Sequence, residues 1–333
     1  MTTTSTMAQV VSAIHPLEEK TAFTSKNARG SPTAISSDAR IPGWPLVYAI
    51  RVFWAFVKSD IFTFSTPGIL FGITGALTNS PHPHSIDVLS RLPKVILSNV
   101  LTIVLFNFAN QRSPASVLED RINKPWRPIP SGMITPEQTR RAALLVAPIA
   151  LACNYSMGVG VEGLFMQVLT FYYNDLCGSD EIVRDGIIAV AYAVVNTMSL
   201  KLCIGPKNTV STQGMMWIAI ISGIILTTMS VQDLKDQKGD KARDRKTLPL
   251  VIGDTRTRII IACCVPFWSV LCANFWKVEP GSIYCLPLAL GAVVTWRVLV
   301  ERTAEEDSKT WKLRCTWHTV IYFIPLTKLL FQH

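Results

Sequence analysis

The sequence predicts an all-α protein, an integral membrane bundle of about nine transmembrane helices, and three observations carry that expectation. Hydrophobic residues fill 49% of the 333 positions and charged residues only 17%, with a mean hydropathy of +0.31; a soluble chain of this length needs a more charged surface. The apolar residues gather into runs close to the length of about 20 residues that a bilayer-crossing helix requires. The formal net charge is +9, yet Lys and Arg collect in particular loops rather than one patch, as membrane topology demands. Their interleaving with acidic residues argues against nucleic-acid binding.

Residues 1–42 are rich in Ser, Thr and Ala and read as a disordered cytosolic tail, with the stretch Val10–Ile14 too short for a signal-peptide core. Residues 43–333 make up the membrane domain. The segment 44–58 carries Arg51 among aromatics and reads as an interfacial helix. Spans follow near 60–78, 93–110, 141–158, 161–176, 185–204, 214–232, 258–276, 281–299 and 316–331. The fourth is short and the ninth carries His318 and Lys328, so the count stands to within one.

With the N-terminus inside, the loop after span two holds Arg112, Arg121, Lys124, Arg127, Arg140 and Arg141. The loop after span six holds Lys235, Lys238, Lys241, Arg243, Arg245, Lys246, Arg256 and Arg258. The loops assigned to the other side carry few cations: Arg91 and Lys94, Lys207, Lys277. Both basic loops are therefore expected on the cytosolic face. An even number of spans separates them, so they share one face whichever way the bundle is inserted. The eight cysteines lie mostly in apolar runs (Cys153, Cys203, Cys263, Cys264, Cys272, Cys285) without CxxC spacing and read as packing residues. The five histidines are scattered and suggest no zinc or haem site.

The two basic loops are also the acidic ones, and topology alone does not need aspartates. If span six continues as helix, Asp233, Asp236 and Asp240 stand at i, i+3 and i+7, placing three carboxylates on one face where they repel unless a hard cation lies between them. Arg245 and Lys246 follow, positioned to grip phosphate oxygens. The first loop offers Glu119 and Asp120, with Asn110, Gln111, Ser113 and Ser116 as neutral oxygen donors, and then Asn123, Lys124 and Arg127. Taken alone, the second loop also reads as a solvated helix end of mixed charge.

The pair of motifs, Asn-Lys-Pro-x-Arg-Pro-x-x-Ser-Gly over Asn123–Gly132 and Asp-x-x-Asp-x-x-Gly-Asp over Asp233–Asp240, resembles the two signatures of the UbiA superfamily. The resemblance covers about residues 60–331 and implies nine helices around a central cavity and activity on isoprenyl diphosphates. Two departures matter. The family's first motif carries aspartates where this chain has Ser113 and Ser116, leaving Glu119 as a substitute beside Asp120. The Tyr-x-x-x-Lys of the aromatic prenyltransferases is replaced by Tyr172-Tyr173-Asn174-Asp175, with no lysine. Both departures resemble the fungal UbiA-type terpene cyclases, and the lean toward geranylgeranyl rather than farnesyl diphosphate rests on that likeness alone.

That resemblance implies a Mg2+ cofactor held by Asp233, Asp236, Asp240, Glu119 and Asp120, these five also counting as the catalytic carboxylates. Asn110, Asn123, Lys124, Arg127, Arg245 and Lys246 would bind the diphosphate. Phe106, Tyr172, Tyr173 and Asn174 would line the cavity, where aromatic faces stabilise positive charge. Phe108 and Trp217 are further aromatic candidates, although lipid-facing or packing roles are commoner for any single ring. Gln167 and Asn196, polar within apolar runs, line the cavity or bridge helices. The expected function is a membrane-bound terpene cyclase of secondary metabolism in the endoplasmic reticulum, with the membrane lipid and a polyprenyl diphosphate as its partners and no protein partner. A prenyltransferase with an aromatic or lipid acceptor is the alternative. A transporter, whose charges would sit at membrane depth, is the rival from another class.

Overall fold

The computed structural model describes residues 44–81, 83–278 and 285–327. The tail 1–42 and the last residues of the expected ninth span, Lys328 included, lie outside them. Every regular element among the described residues is helical. In chain order they are α1 (Leu46–Val57), α2 (Thr66–Thr78), α3 (Ser85–Arg112), α4 (Pro114–Asn123), α5 (Pro136–Ser156), α6 (Gly160–Asn174), α7 (Arg184–Ile204), α8 (Thr212–Thr228), α9 (Val231–Ala242), α10 (Leu248–Val251), α11 (Asp254–Phe275), α12 (Cys285–Val300) and α13 (Ala304–Ile321). A π-helical turn, Ile61–Ser65, leads into α2, and a 3-10 turn, Gly178–Asp180, precedes α7.

The first eight expected runs each overlap a helix among the described residues. By length and apolarity four of them can cross a bilayer unaided: Ile61–Thr78, Ser85–Arg112, Arg184–Ile204 and Asp254–Phe275, with a fifth if α8 is taken with the helix that follows it. The last expected span needs correcting. Its helix starts at Ala304, twelve residues before the expected 316, capped by the Thr303 hydroxyl accepting from the Glu306 N–H. The charges in Ala304–Lys312 hid that start from hydropathy; ion pairs such as Arg258–Asp307 at 2.7 Å neutralise them inside the fold. α1 exposes Leu46, Val47, Ile50 and Trp54 while burying Val52, Phe56 and Val57, an amphipathic split that suits an interfacial helix.

Close backbone approach holds the bundle together where small residues permit it. A Cβ at Gly72 of α2 would sit 2.7 Å from the Ser199 carbonyl oxygen of α7. Polar residues within the spans pair with each other: the Asn99 amide of α3 donates to Ser199 Oγ at 2.9 Å. A large apolar core, including Phe71, Leu200, Trp217, Ile221, Val265 and Trp317, fills the space between the spans. α9 packs against both α13 and α4, which sets the site.

Candidate active site

α3 ends at Arg112 because Ser113 turns extended and Pro114 opens the next helix. The Ser113 hydroxyl accepts from the Ser116 N–H at 3.1 Å, so one of the two serines standing where the family carries aspartate serves as a helix cap. α4 then presents Glu119 and Asp120, both buried, and stops before Pro125. On the other side, α8 breaks at Met229-Ser230, and α9, rich in charged residues, sets off at 46° to it. Asp233, Asp236 and Asp240 all lie on α9 and are buried.

The two helices meet through Asn123 and Gly239. The Asn123 amide donates to the Asp236 carbonyl at 3.0 Å, and its oxygen accepts from the Gly239 N–H at 3.2 Å. A Cβ at residue 239 would lie 2.2 Å from Asn123 Nδ2, so only glycine allows this approach. The carboxylates of both motifs thus occupy one face of the molecule, side by side.

Each is already matched by a cation. Asp120 takes both its oxygens to Arg127, at 2.9 Å each. Glu119 receives Arg243 at 3.0 Å and Arg245 at 3.2 Å. Arg245 also reaches Asp240 at 3.1 Å and so links the motifs directly. Asp236 is held by Lys235 at 2.5 Å and Lys124 at 3.5 Å. Asp233 pairs with Arg184 at 2.5 Å, and both are buried. A third segment joins in: Arg243 reaches Asp180 at 2.9 Å, and Arg245 donates to the Ser179 carbonyl.

These partners set the acidities. Burial pushes the Glu119 carboxyl up, but Arg245, Lys124 and Arg243 outweigh it and hold the group below its ordinary value. For Asp120 burial wins over Arg127 and Lys124, and its value is raised. Burial also raises Asp240, to about 7, against the pull of Arg245 and with help from Asp233 and Glu119. At Asp236 burial is overcome by Lys124 and Lys235, which bring it down to about 2.

Below this charged layer opens a cavity of about 130 Å³. Its mouth is lined by Asn110, Ser116, Glu119, Asp120, Lys124, Arg127, Arg243 and Arg245, its walls by residues such as Phe64, Phe106, Leu169, Tyr173, Tyr192 and Trp311. Of the expected site residues, the structure brings Glu119, Asp120, Asn110, Lys124, Arg127, Arg245, Phe106 and Tyr173 to this one space. Asp233, Asp236 and Asp240 stand behind it on α9, and Asn123 braces the two helices. Asn174 accepts from the Asn110 amide at 3.0 Å and supports the lining from behind. Lys246 is exposed and paired with Glu181 at 2.8 Å, away from the cavity. Tyr172 is also exposed and outside the lining, because adjacent residues of α6 point to different sides and Tyr173 takes the inward one. Phe108 packs edge-on against Phe56, and Trp217 stacks on Phe275, both outside the lining. Gln167 bonds the Ala147 carbonyl and bridges α6 to α5.

Sequence reading missed Arg184, Arg243, Asp60 and the deep pair Tyr192 and Trp311. Arg184 carried a legible signal: a cation at the first position of a span, directly after the acidic turn Asp180-Glu181. Trp311 carried none, since it sits in the stretch that hydropathy left outside the membrane.

Among the described residues no three His, Cys, Asp or Glu side chains converge at ligand distance. The carboxylates are nevertheless all oxygen donors, with no sulfur or imidazole among them, and Asp240 Oδ2 is buried without a partner among the described residues. A buried, unpartnered carboxylate oxygen requires a cation or a donor. The set fits magnesium, which binds through one or two carboxylates and leaves the remainder to water and phosphate.

A charged mouth closing an apolar, aromatic cavity inside a helical membrane bundle defines an intramembrane enzyme for amphiphilic substrates. The chain belongs to the UbiA prenyltransferase family, whose model matches residues 67–320. It is 26% identical over 299 residues to the somaliensene A/B synthase of Streptomyces somaliensis, covering 86% of this chain and 96% of that one. It is 28% identical over 281 residues to the diterpene cyclase eriG of Hericium erinaceus (80% and 85% covered). It is 30% identical over 284 residues to the polyprenyl transferase eriF of the same fungus (80% and 90%). A UbiA homologue from Aeropyrum pernix K1 shares the fold with a TM-score of 0.60 at 13% identity, over 82% of this chain and 98% of that one. Another, from Archaeoglobus fulgidus and bound to GPP and Mg2+, gives 0.55 at 10% identity, over 82% and 99%.

Proposed function

We propose that this protein is a membrane-bound terpene cyclase that ionises geranylgeranyl or farnesyl diphosphate and closes the carbocation into a terpene hydrocarbon. The observation that carries the reading is the single cavity that joins a wall of Lys and Arg at its mouth to Phe106, Tyr173, Tyr192 and Trp311 below. The relatives named somaliensene A/B synthase and diterpene cyclase support it, and the latter name favours the longer substrate.

The diphosphate lies at the mouth. Lys124, Arg127 and Arg245 neutralise its oxygens with charge-assisted hydrogen bonds, and Arg243 adds a fourth cation. Asn110 orients the group, held in turn by Asn174. Asp233, Asp236 and Asp240 on α9 and Glu119 and Asp120 on α4 would hold Mg2+. When bound, that ion supplies charge neutralisation to the departing diphosphate. The prenyl tail lies among apolar side chains that keep water from the cation. Aromatic faces at Phe106, Tyr173, Tyr192 and Trp311 attract the positive charge as it migrates. The site opens to the cytosol, and the membrane is that of the endoplasmic reticulum.

Membranes containing the protein, given each diphosphate with Mg2+ and no acceptor, are expected to yield a hydrocarbon and free diphosphate. Consumption of substrate only when an aromatic or lipid acceptor is added would replace this reading with a prenyltransferase, which the likeness to eriF favours.

A further inference from the structure

Four polar atoms lie deep in the bundle with no hydrogen-bond partner among the described residues: Asn196 Nδ2 and Oδ1, His318 Nε2 and the Tyr322 hydroxyl. All three side chains are 1% exposed or less. They form one cluster. The His318 and Tyr322 rings are 4.6 Å apart, and the Tyr322 hydroxyl stands beside the Asn196 side chain. Asn196 stands in α7 twelve residues after Arg184, hence about 18 Å further along that helix.

The cluster adjoins the cavity. Tyr192, one turn before Asn196 on α7, lines the cavity and lies edge-on to His318 at 6.1 Å. Trp311, two turns before His318 on α13, lines it too. Arg314 is held by the Thr228 hydroxyl, to which its Nε donates at 3.2 Å and one Nη at 2.6 Å.

Each buried polar atom left without a partner costs free energy. Four of them gathered in one place favour a bound polar guest. A water molecule needs two to four polar partners in a buried site, and this cluster provides that number.

We propose that Asn196, His318 and Tyr322 form a water-binding subsite behind Tyr192 and Trp311 in the cavity wall, and that His318 receives, through that water, the proton shed by the last carbocation. The proposal rests on the cyclase reading. A C–H bond next to the cationic carbon breaks, and its electron pair becomes the new C=C bond. The proton passes to the water as the water gives one of its own to His318 Nε2, which becomes an imidazolium. The diphosphate has already left with the electron pair of the C–O bond, so the organic product is a neutral hydrocarbon. The imidazolium loses its proton to bulk water when the cavity empties. Three fixed partners hold the water in place and keep its oxygen from adding to the cation.

The test separates ionisation from proton loss. His318→Gln, Asn196→Leu and Tyr322→Phe are each incubated with substrate and Mg2+, and both diphosphate release and terpene profile are measured. Release is expected within about twofold of the parent, because the mouth is untouched, while the main terpene's share of product falls about tenfold in favour of other olefins or an alcohol. An unchanged profile in all three overturns the proposal. So does an equal fall in release and in every product, the mark of a merely structural role. Should His318→Gln fail to give a monodisperse protein, Tyr322→Phe, which removes one hydroxyl, decides. A parent that makes no hydrocarbon without an acceptor removes the cyclase reading instead, whatever the variants do.

Discussion

Gly239→Ala tests whether the contact between the two motif helices controls the site. The added Cβ would lie 2.2 Å from Nδ2, 2.5 Å from Cγ and 2.7 Å from Oδ1 of Asn123. These atoms form one planar amide, so rotation about the Cβ–Cγ bond alone does not clear them. Restoring ordinary contact at 3.4 Å requires a displacement of about 1.2 Å, the difference from 2.2 Å. Both hydrogen bonds that Asn123 makes to α9 are then lost, at about 1 kcal/mol each. The overlap of Cβ with the amide adds about 1 kcal/mol. Alanine's helix preference over glycine returns about 1 kcal/mol. The net penalty on docking α4 against α9 is about 2 kcal/mol, which weakens the binding of a Mg2+-loaded prenyl thiodiphosphate by about tenfold or more. Calorimetric titration in detergent measures it. The double variant supplies a signature: in an Asn123→Ala background the overlap is gone, and Gly239→Ala becomes neutral or stabilising. Parent-like affinity in Gly239→Ala, or an equal penalty in both backgrounds, would refute the reasoning.

Other outcomes follow from the same geometry. Asp233→Asn leaves Arg184 buried with only Asp185, at 3.7 Å, to oppose its charge; stability should fall by about 3 kcal/mol, read as an earlier melt in detergent. Arg245→Ala unlinks Glu119 from Asp240 and should reduce kcat/KM by about a hundredfold, whereas Lys246→Ala, exposed and paired only with Glu181, should stay within about twofold. Steady-state assays of the two variants side by side check the ranking. The Asp240 carboxyl, raised from 3.8 to about 7 by burial, favours its protonated form in the fold. Its contribution to metal-free stability is therefore full below pH 3.8 and lost as pH rises through 7. A metal must displace that proton, so Mg2+ affinity at pH 6 should be about tenfold below its plateau above pH 7. A Mg2+ titration flat across pH 6 to 8 would exclude Asp240 as a ligand.

The sequence by itself determined the class of fold and the two motifs. Composition and run length fix a helical membrane bundle, because lipid accepts no unpaired backbone. The spacing of Asp233, Asp236 and Asp240 puts them on one helix whatever surrounds it, and the count of spans puts both motifs at one face. Only the tertiary structure decided which cation meets which carboxylate: nothing local joins Arg184 to Asp233, 49 residues on, or Arg243 to Glu119, 124 residues back. It also chose Tyr173 over Tyr172 as the ring that faces the cavity. Trp311, His318 and Arg314 became interior residues through α13, whose charges mislead any hydropathy window. The physical reason is the same in each case. A helix is written by neighbours in the chain, but burial and ion pairing are settled between segments far apart in it.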